Sequence, residues 1–522
     1  MKRLFSLIAV FFVFGIAYGQ TPAITSFSPM VAGSGEQVTI TGQNFDPIIT
    51  NNIIFFDGIK ANITSASNSQ LVVTVPNGVS SSNIQYVNLS TNLVTISPNA
   101  FIPKFSKTIQ ENSYSNVLNI GSGFRLNAGE AYGLVDIDED GEVDIIYNSI
   151  SGSTKSLKLL TNNSDSSEIN STNLIETTLS SWSSSSYGSG PIVLSDFNGD
   201  GLIDTFNGSV GYSGSKMLLQ DQNNPGSFVQ QTYSPSSYQS GVRSIDFTGD
   251  GKIDLVSTYF HPSINYYTQI NGTTPGSNTV NFSASVTNFI GSASNGTATG
   301  DLDKNGFTDV IIIYNDFPSA AIRPNSASGF GTQINISLLN SSRDLKLADL
   351  NGDGLDEIIA GGTSGTVSVF VNNSTPGSIS FENTRLDYSN GTGENYSVDV
   401  VDFDGDDKPD ILTIQSNRVV LFKNTSTGGN LSFDTGTVLS TNGNYSFDVR
   451  FVDLNNDGSP EIISRGSSGL EILSLVPSPS ISSSGGLNNF IKCGEESNSQ
   501  SFTISGSNLT GNISIGALSG FE

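Results

Sequence analysis

The stretch DFNGDGLID, residues 196–204, sets three carboxylates and an asparagine around a glycine within nine residues. Oxygen-rich stretches of this kind serve as helical calcium hands, as catalytic carboxylate pairs, or as plain acidic turns. Recurrence separates these readings. The same pattern stands at DIDEDGEVD (136–144), DFTGDGKID (246–254), DLDKNGFTD (301–309), DLNGDGLDE (349–357), DFDGDDKPD (402–410) and DLNNDGSPE (453–461). A merely solvated turn has no need of one ligand order kept through seven copies. Glycoside hydrolysis needs an acid and a base facing each other across a cleft, which a sevenfold array does not supply.

The spacing within each copy fits a hard divalent cation. Calcium takes six to eight oxygens, and a helical hand draws them from positions 1, 3, 5 and 7 and a glutamate at 12. Here position 12 counted from Asp196 is Asn207, and the last carboxylate falls at position 9. A hairpin returns the chain sooner than a helix pair does. Positions 1, 3, 5 and 9 offer side-chain oxygens and position 7 a carbonyl. The candidate ligands are Asp136, Asp138, Asp140, Glu142 and Asp144 in the first copy, and Asp196, Asn198, Asp200, Leu202 and Asp204 in the second. The third and fourth copies supply Asp246, Thr248, Asp250, Lys252 and Asp254, then Asp301, Asp303, Asn305, Phe307 and Asp309. The fifth supplies Asp349, Asn351, Asp353, Leu355 and Glu357, and the sixth Asp402, Asp404, Asp406, Lys408 and Asp410. Asp453, Asn455, Asp457, Ser459 and Glu461 complete the seventh.

Up to seven structural Ca²⁺ ions follow, with magnesium a poor match to so many protein oxygens. The first and sixth copies, with four carboxylates each, are expected to bind most tightly, and the third, with Thr248 at position 3, most weakly. Position 6 must turn with φ above zero, hence Gly in six copies and Asp407 in the other. Of 48 acids, 23 stand at positions 1, 3, 5 and 9, so much of the net charge of −26 is ligand charge.

Other chemistry has little to stand on. His261 is the single histidine and Cys493 the single cysteine, so a Ser-His-Asp triad has one base and no nucleophile motif beside it. YFHPS (259–263) reads as an exposed loop, and an unpartnered Cys493 as a structural residue. Loop aromatics that could stack on sugars are Trp182, Tyr187, Tyr233, Tyr238, Tyr266 and Tyr267. The acidic balance argues against nucleic acid and anionic membranes, which need clustered Lys and Arg.

The elements that position these loops are strands. Each copy lies between apolar runs, for example IVL before and DLVS after, and further along come Asn-rich turns such as VFVNNSTPGSISF and LFKNTSTGGNLSF. Strand, acidic loop, strand, turn, strand, turn, strand is one four-stranded unit, the size of a propeller blade. The seventh unit lacks its outermost strand, and AFIPKFSKTIQEN (100–112) is predicted to supply it and lock the ring. The fold class is all-β: a seven-bladed β-propeller preceded by an immunoglobulin-like sandwich and followed by a truncated β module.

Lys2 and Arg3 followed by an apolar run to Ile16 and AYG (17–19) read as a signal peptide, residues 1–19. No second segment of membrane-spanning length follows. The predicted divisions are 20–99 for the sandwich, 100–476 for the propeller, and 477–522 for a linker and an incomplete immunoglobulin-like module.

Seven D-x-[DNT]-x-[DN]-[GD]-x-x-[DE] loops on blade-sized repeats resemble the FG-GAP/VCBS-repeat propellers related to the integrin alpha-chain head. The literal Phe-Gly and Gly-Ala-Pro elements are absent, which favours the VCBS-type branch and leaves integrin ligand recognition aside. The resemblance implies calcium in a blade hairpin. PAITSFSPMVAGSGEQVTITGQNFD resembles the start of an IPT/TIG domain through Pro22, Pro29, Gly33, Gly35, Gly42 and Phe45, with FFDG, LVVTVP and Phe101 continuing it. Such a domain implies a spacer or docking module. FIKCGEESNSQSFTISGSNLTGNISIGALSGFE is similar to the opening of immunoglobulin-like modules of Bacteroidetes surface proteins. The expected function is adhesion to, or recognition of, an extracellular glycan or protein by a secreted or surface-displayed chain. The alternative implied by the same resemblance is a calcium-dependent polysaccharide lyase.

Overall fold

The computed structural model describes residues 20–120, 132–164, 168–183, 190–208, 215–224, 226–233, 239–259, 266–287, 294–314, 319–338, 342–362, 365–391, 395–441, 445–466, 469–476, 480–484 and 503–507. Among these the fold is almost entirely β. No helix is long and apolar enough to cross a membrane. The predicted signal peptide and most of the residues after 476 lie outside the described residues, as do His261 and Cys493.

Residues 23–103 form two facing sheets. One orders Ala23–Ser28, Gln37–Gln43, Gln70–Thr74 and Asn62–Ala66, and the other Val31–Ala32, Leu93–Pro103, Ser82–Asn88, Asn52–Phe56 and Ile59–Lys60. Val38 and Ile40 on Gln37–Gln43 and Leu71 and Val73 on Gln70–Thr74 point inward, as period-two burial requires. Phe56 and Phe101 meet edge to face at 4.8 Å inside the sandwich. A Cβ on Gly42 would lie 2.1 Å from the Ala23 carbonyl oxygen, so only glycine fits there.

Among the described residues seven four-stranded antiparallel sheets follow, here called blades and numbered by the acidic loop each carries. Blade one runs Tyr132–Val135, Asp144–Ser151, Thr154–Asn162 and Leu174–Ser183. Second strands such as Asp309–Tyr314, Glu357–Gly362 and Asp410–Gln415 are buried along their whole length, because neighbouring blades cover both faces. Outermost strands such as Ile334–Ser337 and Leu386–Ser389 alternate instead.

The seventh blade corrects a sequence expectation. Its outermost strand is Tyr114–Ile120, paired antiparallel with Leu470–Leu475, and not 100–112. Residues 100–103 end the sandwich strand Leu93–Pro103, where Phe101 opposes Ser82. An early strand does complete the last blade, but from further along the chain. AFIP is apolar enough to read as a blade strand; the sandwich, whose core Phe101 fills, claims it first. Blade seven also meets blade one: the Tyr132 hydroxyl donates to the Ile463 carbonyl at 3.1 Å.

The sandwich is not a detached module. The strand Leu93–Pro103 and the residues after it lie along the acidic-loop side of blades three to seven in order. The Val94 amide donates to the Gly251 carbonyl, the Asp301 amide to Pro98 and the Asp402 amide to Pro103. Ile102 packs with Ala348 and Leu350, and the Lys107 ammonium donates to the Ser459 hydroxyl at 2.8 Å.

Candidate metal site

Each acidic loop joins the first two strands of its blade, and the register is identical throughout. The residue before position 1 pairs with position 9: Val135 with Asp144, Ser195 with Asp204, Ile245 with Asp254 and Gly300 with Asp309. Ala348 with Glu357, Val401 with Asp410 and Val452 with Glu461 complete the set. Position 9 is therefore the first residue of the second strand, held at the base of the loop.

Two residues per loop are left-handed. Position 6 has φ between 63° at Asp407 and 90° at Gly141, as its sequence requires. Position 4 is left-handed as well, at Glu139, Gly199, Gly249, Lys304, Gly352, Gly405 and Asn456. The sequence reading missed this, although glycine at four of the seven positions signals it. These turns aim amides at the acids. The position-6 amide donates to the position-1 carboxylate in all seven loops, at 2.7 to 3.1 Å. The position-7 amide likewise donates to position 5 in each, for example Leu202 to Asp200 at 3.0 Å and Ser459 to Asp457 at 2.6 Å.

Positions 1, 3 and 9 converge. Ligand oxygens of Asp136, Asp138 and Asp144 lie within 4.8 Å of one another, as do those of Asp301, Asp303 and Asp309, and of Asp402, Asp404 and Asp410. These are the three loops with Asp at position 3. Where Asn stands there, its carboxamide donates to position 5 instead, as Asn198 does to Asp200 and Asn351 to Asp353, both at 3.0 Å. Thr248 leaves its hydroxyl 3.4 Å from Asp246 and 3.3 Å from Asp254.

Burial, followed by repulsion from neighbouring acids and opposed by backbone amides, pushes these carboxyls up. Asp136, Asp246, Asp402 and Asp453 rise to about 6, and Asp254 and Asp309 to about 7. Asp144, Glu357, Asp410 and Glu461 at position 9 reach about 8. The second loop is the most enclosed: Asp196 and Asp204 are fully buried beneath Gln85 and Asn92 of the sandwich.

An all-oxygen donor set, whose carboxyls are pushed up first by burial and then by their acidic neighbours, suits a hard cation. In the sixth loop Asp404 Oδ1 is buried without a hydrogen-bond partner. That loop also carries a competitor absent from the motif. The Lys423 ammonium bonds Asp404 and stands 3.3 Å from Asp406, offsetting two of the four carboxylates on which the expected tight binding rested.

A further set of residues escaped the sequence reading. The Asn-rich turns after the third strands are clamps between blades. Asn271, Asn372 and Asn424 each donate from Nδ2 to the position-8 carbonyl of their own loop. The same Nδ2 groups reach the position-2 carbonyl of the preceding blade: Phe197, Leu302 and Leu350, all at 2.9 Å. Asn162 does this to Leu454, joining blade one to blade seven, and Gln220 to Ile137. Their backbone amides meet the position-9 carboxylate, as Asn424 does Asp410 at 2.8 Å. Recurrence of Asn-x-Ser/Thr at or just past the end of the third strand, at 162, 271, 372 and 424, was the available signal.

Of the aromatics, Trp182 is half-buried against an apolar cluster, which is local packing. Tyr187 and Tyr238 lie outside the described residues. Tyr233 ends the strand Phe228–Tyr233, and Tyr266 and Tyr267 begin Tyr266–Asn271.

Two family models match parts of the chain. A family model for the FG-GAP-like repeat matches residues 196–257, 349–413 and 402–464, and one for the IPT/TIG domain matches residues 22–102. No curated protein sequence matches the chain. Among solved structures, BBS1N in complex with ARL6DN is similar at 12% identity and TM-score 0.44, over 70% of this chain and 98% of that one. An auxiliary nutrient binding protein from Bacteroides ovatus is similar at 10% identity and TM-score 0.34, over 87% of this chain and 97% of that one. A putative phosphatase from Bacteroides thetaiotaomicron is similar at 11% identity and TM-score 0.35, over 88% and 98% respectively. The chain is thus an all-β protein that carries FG-GAP-like repeats behind an N-terminal IPT/TIG domain.

Proposed function

We propose that the chain is a secreted or surface-displayed recognition module whose seven-bladed ring is stiffened by calcium in its acidic loops. The carrying observation is the sevenfold identity of loop register, with a carboxylate at the base of every loop and amides folded onto position 1. Positions 1, 3, 5 and 9, with the position-7 carbonyl, would hold the ion. It would supply charge neutralisation and a fixed loop shape and take part in no reaction. Those carboxylates are thereby spoken for, which supports binding over hydrolysis as the role of the chain. The ligand class is an extracellular glycan or protein, met on surfaces other than the loop face that the sandwich covers.

Calcium titration by calorimetry, paired with thermal unfolding in calcium and in EGTA, tests the first half. Heats of binding with a lowered unfolding temperature in EGTA are expected, and no binding together with an unchanged melt defeats the reading. A glycan and matrix-protein array read with calcium and with EDTA tests the second half, with specific retention expected. Release of unsaturated sugars from a polysaccharide would replace recognition by lyase activity.

A further inference from the structure

The sandwich touches the acidic loop, or its flanking strands, in all seven blades. At blade one the Lys60 ammonium meets Glu139, position 4 of the loop, at 2.9 Å. At blade two Gln85 bonds twice, donating to the Ser195 hydroxyl at 2.6 Å and accepting from the Asp196 amide at 3.1 Å. Asn92 adds a bond to the position-4 carbonyl of Gly199 at 2.6 Å. The Gly251 carbonyl at position 6 serves blade three, and Lys304 at position 4 bonds Asn99 at blade four. Blade five packs Leu350, position 2, against Ile102. The position-1 amide and carbonyl of Asp402 serve blade six, through Pro103 and Phe105. Blade seven brings Arg450 within 3.8 Å of Asp57.

At blades two, three, four and six the contacts include the backbone of position 1, 4 or 6, whose conformation the loop carboxylates fix; at blades one, five and seven they run through side chains. Beneath the sandwich lies a chamber of about 180 Å³. Residues three before position 1 face it from the inner strands, among them Arg243, Lys346 and Arg450, and Asp57 and Gln85 line it from the sandwich.

We propose that the IPT/TIG domain is a stopper seated on the loop face, and that its seating is thermodynamically linked to cation binding in the loops. This rests on the calcium reading above and goes beyond it. A bound cation holds positions 1 to 9 in the shape the stopper grips. Without it, the loop carboxylates, within 4.8 Å of one another in the first, fourth and sixth loops, repel, the left-handed turns relax, and the sandwich loosens from the ring. The cavity then widens while the blades, held by their own ladders and asparagine clamps, stay formed. Linkage is reciprocal, so a weakened stopper must weaken cation binding.

Hydrogen exchange of the full chain in calcium and in EGTA tests this. Amides of 82–103 and of the acidic loops are expected to exchange at least about fivefold faster in EGTA, with the second and third blade strands still protected. Faster exchange in the loops alone overturns the linkage while leaving calcium binding in place. Uniform loss of protection across the blades also overturns it, because the metal is then a condition of the fold. Absence of any response, with no calcium binding, removes the proposal together with the reading beneath it. The double variant Gln85→Ala and Asn92→Ala approaches from the other side. With blade strands unchanged by circular dichroism, its calcium affinity falls about fivefold or more; an unchanged affinity refutes the proposal.

Discussion

Asn372 and Asn373 are adjacent, chemically identical and opposite in placement, which makes them a controlled pair. Asn372 is 1% exposed, whereas Asn373 faces solvent. The Asn372 carboxamide donates to Leu302 of the preceding blade and to Asp356 of its own loop, both at 2.9 Å, and accepts from the Ser374 amide at 3.0 Å. Truncation to alanine strands two carbonyls and one amide at a site buried from solvent. A hydrogen bond contributes about 0.5–1.5 kcal/mol net, and a buried group left unmet costs about 1–3 kcal/mol. With three such bonds lost at a buried site, Asn372→Ala costs about 3–5 kcal/mol. Asn373→Ala, at a solvated site, shifts stability by no more than about 0.5 kcal/mol. Equilibrium unfolding in urea with calcium present measures both, with an unchanged m-value showing that the unfolding unit is the same. Equal effects, or a loss below about 1 kcal/mol for Asn372→Ala, would refute the clamp.

Three further outcomes follow from the same geometry. The position-9 acids Asp144, Asp410, Glu357 and Glu461 sit near 8 in the metal-free fold, raised from ordinary values of 3.8 for Asp and 4.5 for Glu. A raised carboxyl stabilises the fold below its unfolded value and loses that contribution as pH climbs through the folded one. Metal-free protein is therefore expected to weaken between about pH 4 and pH 8, and the gap in unfolding temperature between calcium and EGTA to widen from about pH 5 to pH 8. A constant gap contradicts the assignment of these acids. Lys423→Gln removes the ammonium beside Asp404 and Asp406, so one calcium site should tighten, by up to about fivefold in calorimetry. An unchanged isotherm means that the lysine already turns away when metal binds. Tyr114 is buried against Phe451 and donates to the Pro460 carbonyl at 2.9 Å, anchoring the closing strand. Tyr114→Ala should cost about 3–5 kcal/mol in urea unfolding, and a surface-like loss would show that the closing strand is not part of the cooperative unit.

The loops were legible because their chemistry is local. Nine consecutive residues carry the acids, the turn residue at position 6 and the two flanking strands, so register and φ follow from sequence alone, even at Asp407. Position 4 was equally local and was overlooked because only four copies show glycine. Lys423 was invisible for the opposite reason: it reaches the sixth loop from the end of a third strand, across a pairing that no motif records.

Strand pairs, repeat unit and acidic loops were thus set by the sequence itself, because each depends on residues a few places apart. Tertiary structure alone decided which early strand closes the ring, how blades are tied, and where the sandwich rests. Only 100–112 read as the closing strand, yet 114–120 takes that place, and the choice was made by two competing cores, one needing Phe101 and the other Tyr114. Asn162 and Leu454 are bonded although nearly the whole repeat array separates them along the chain. Contacts of that range are fixed by closure of the ring, a property that no single segment of the sequence expresses.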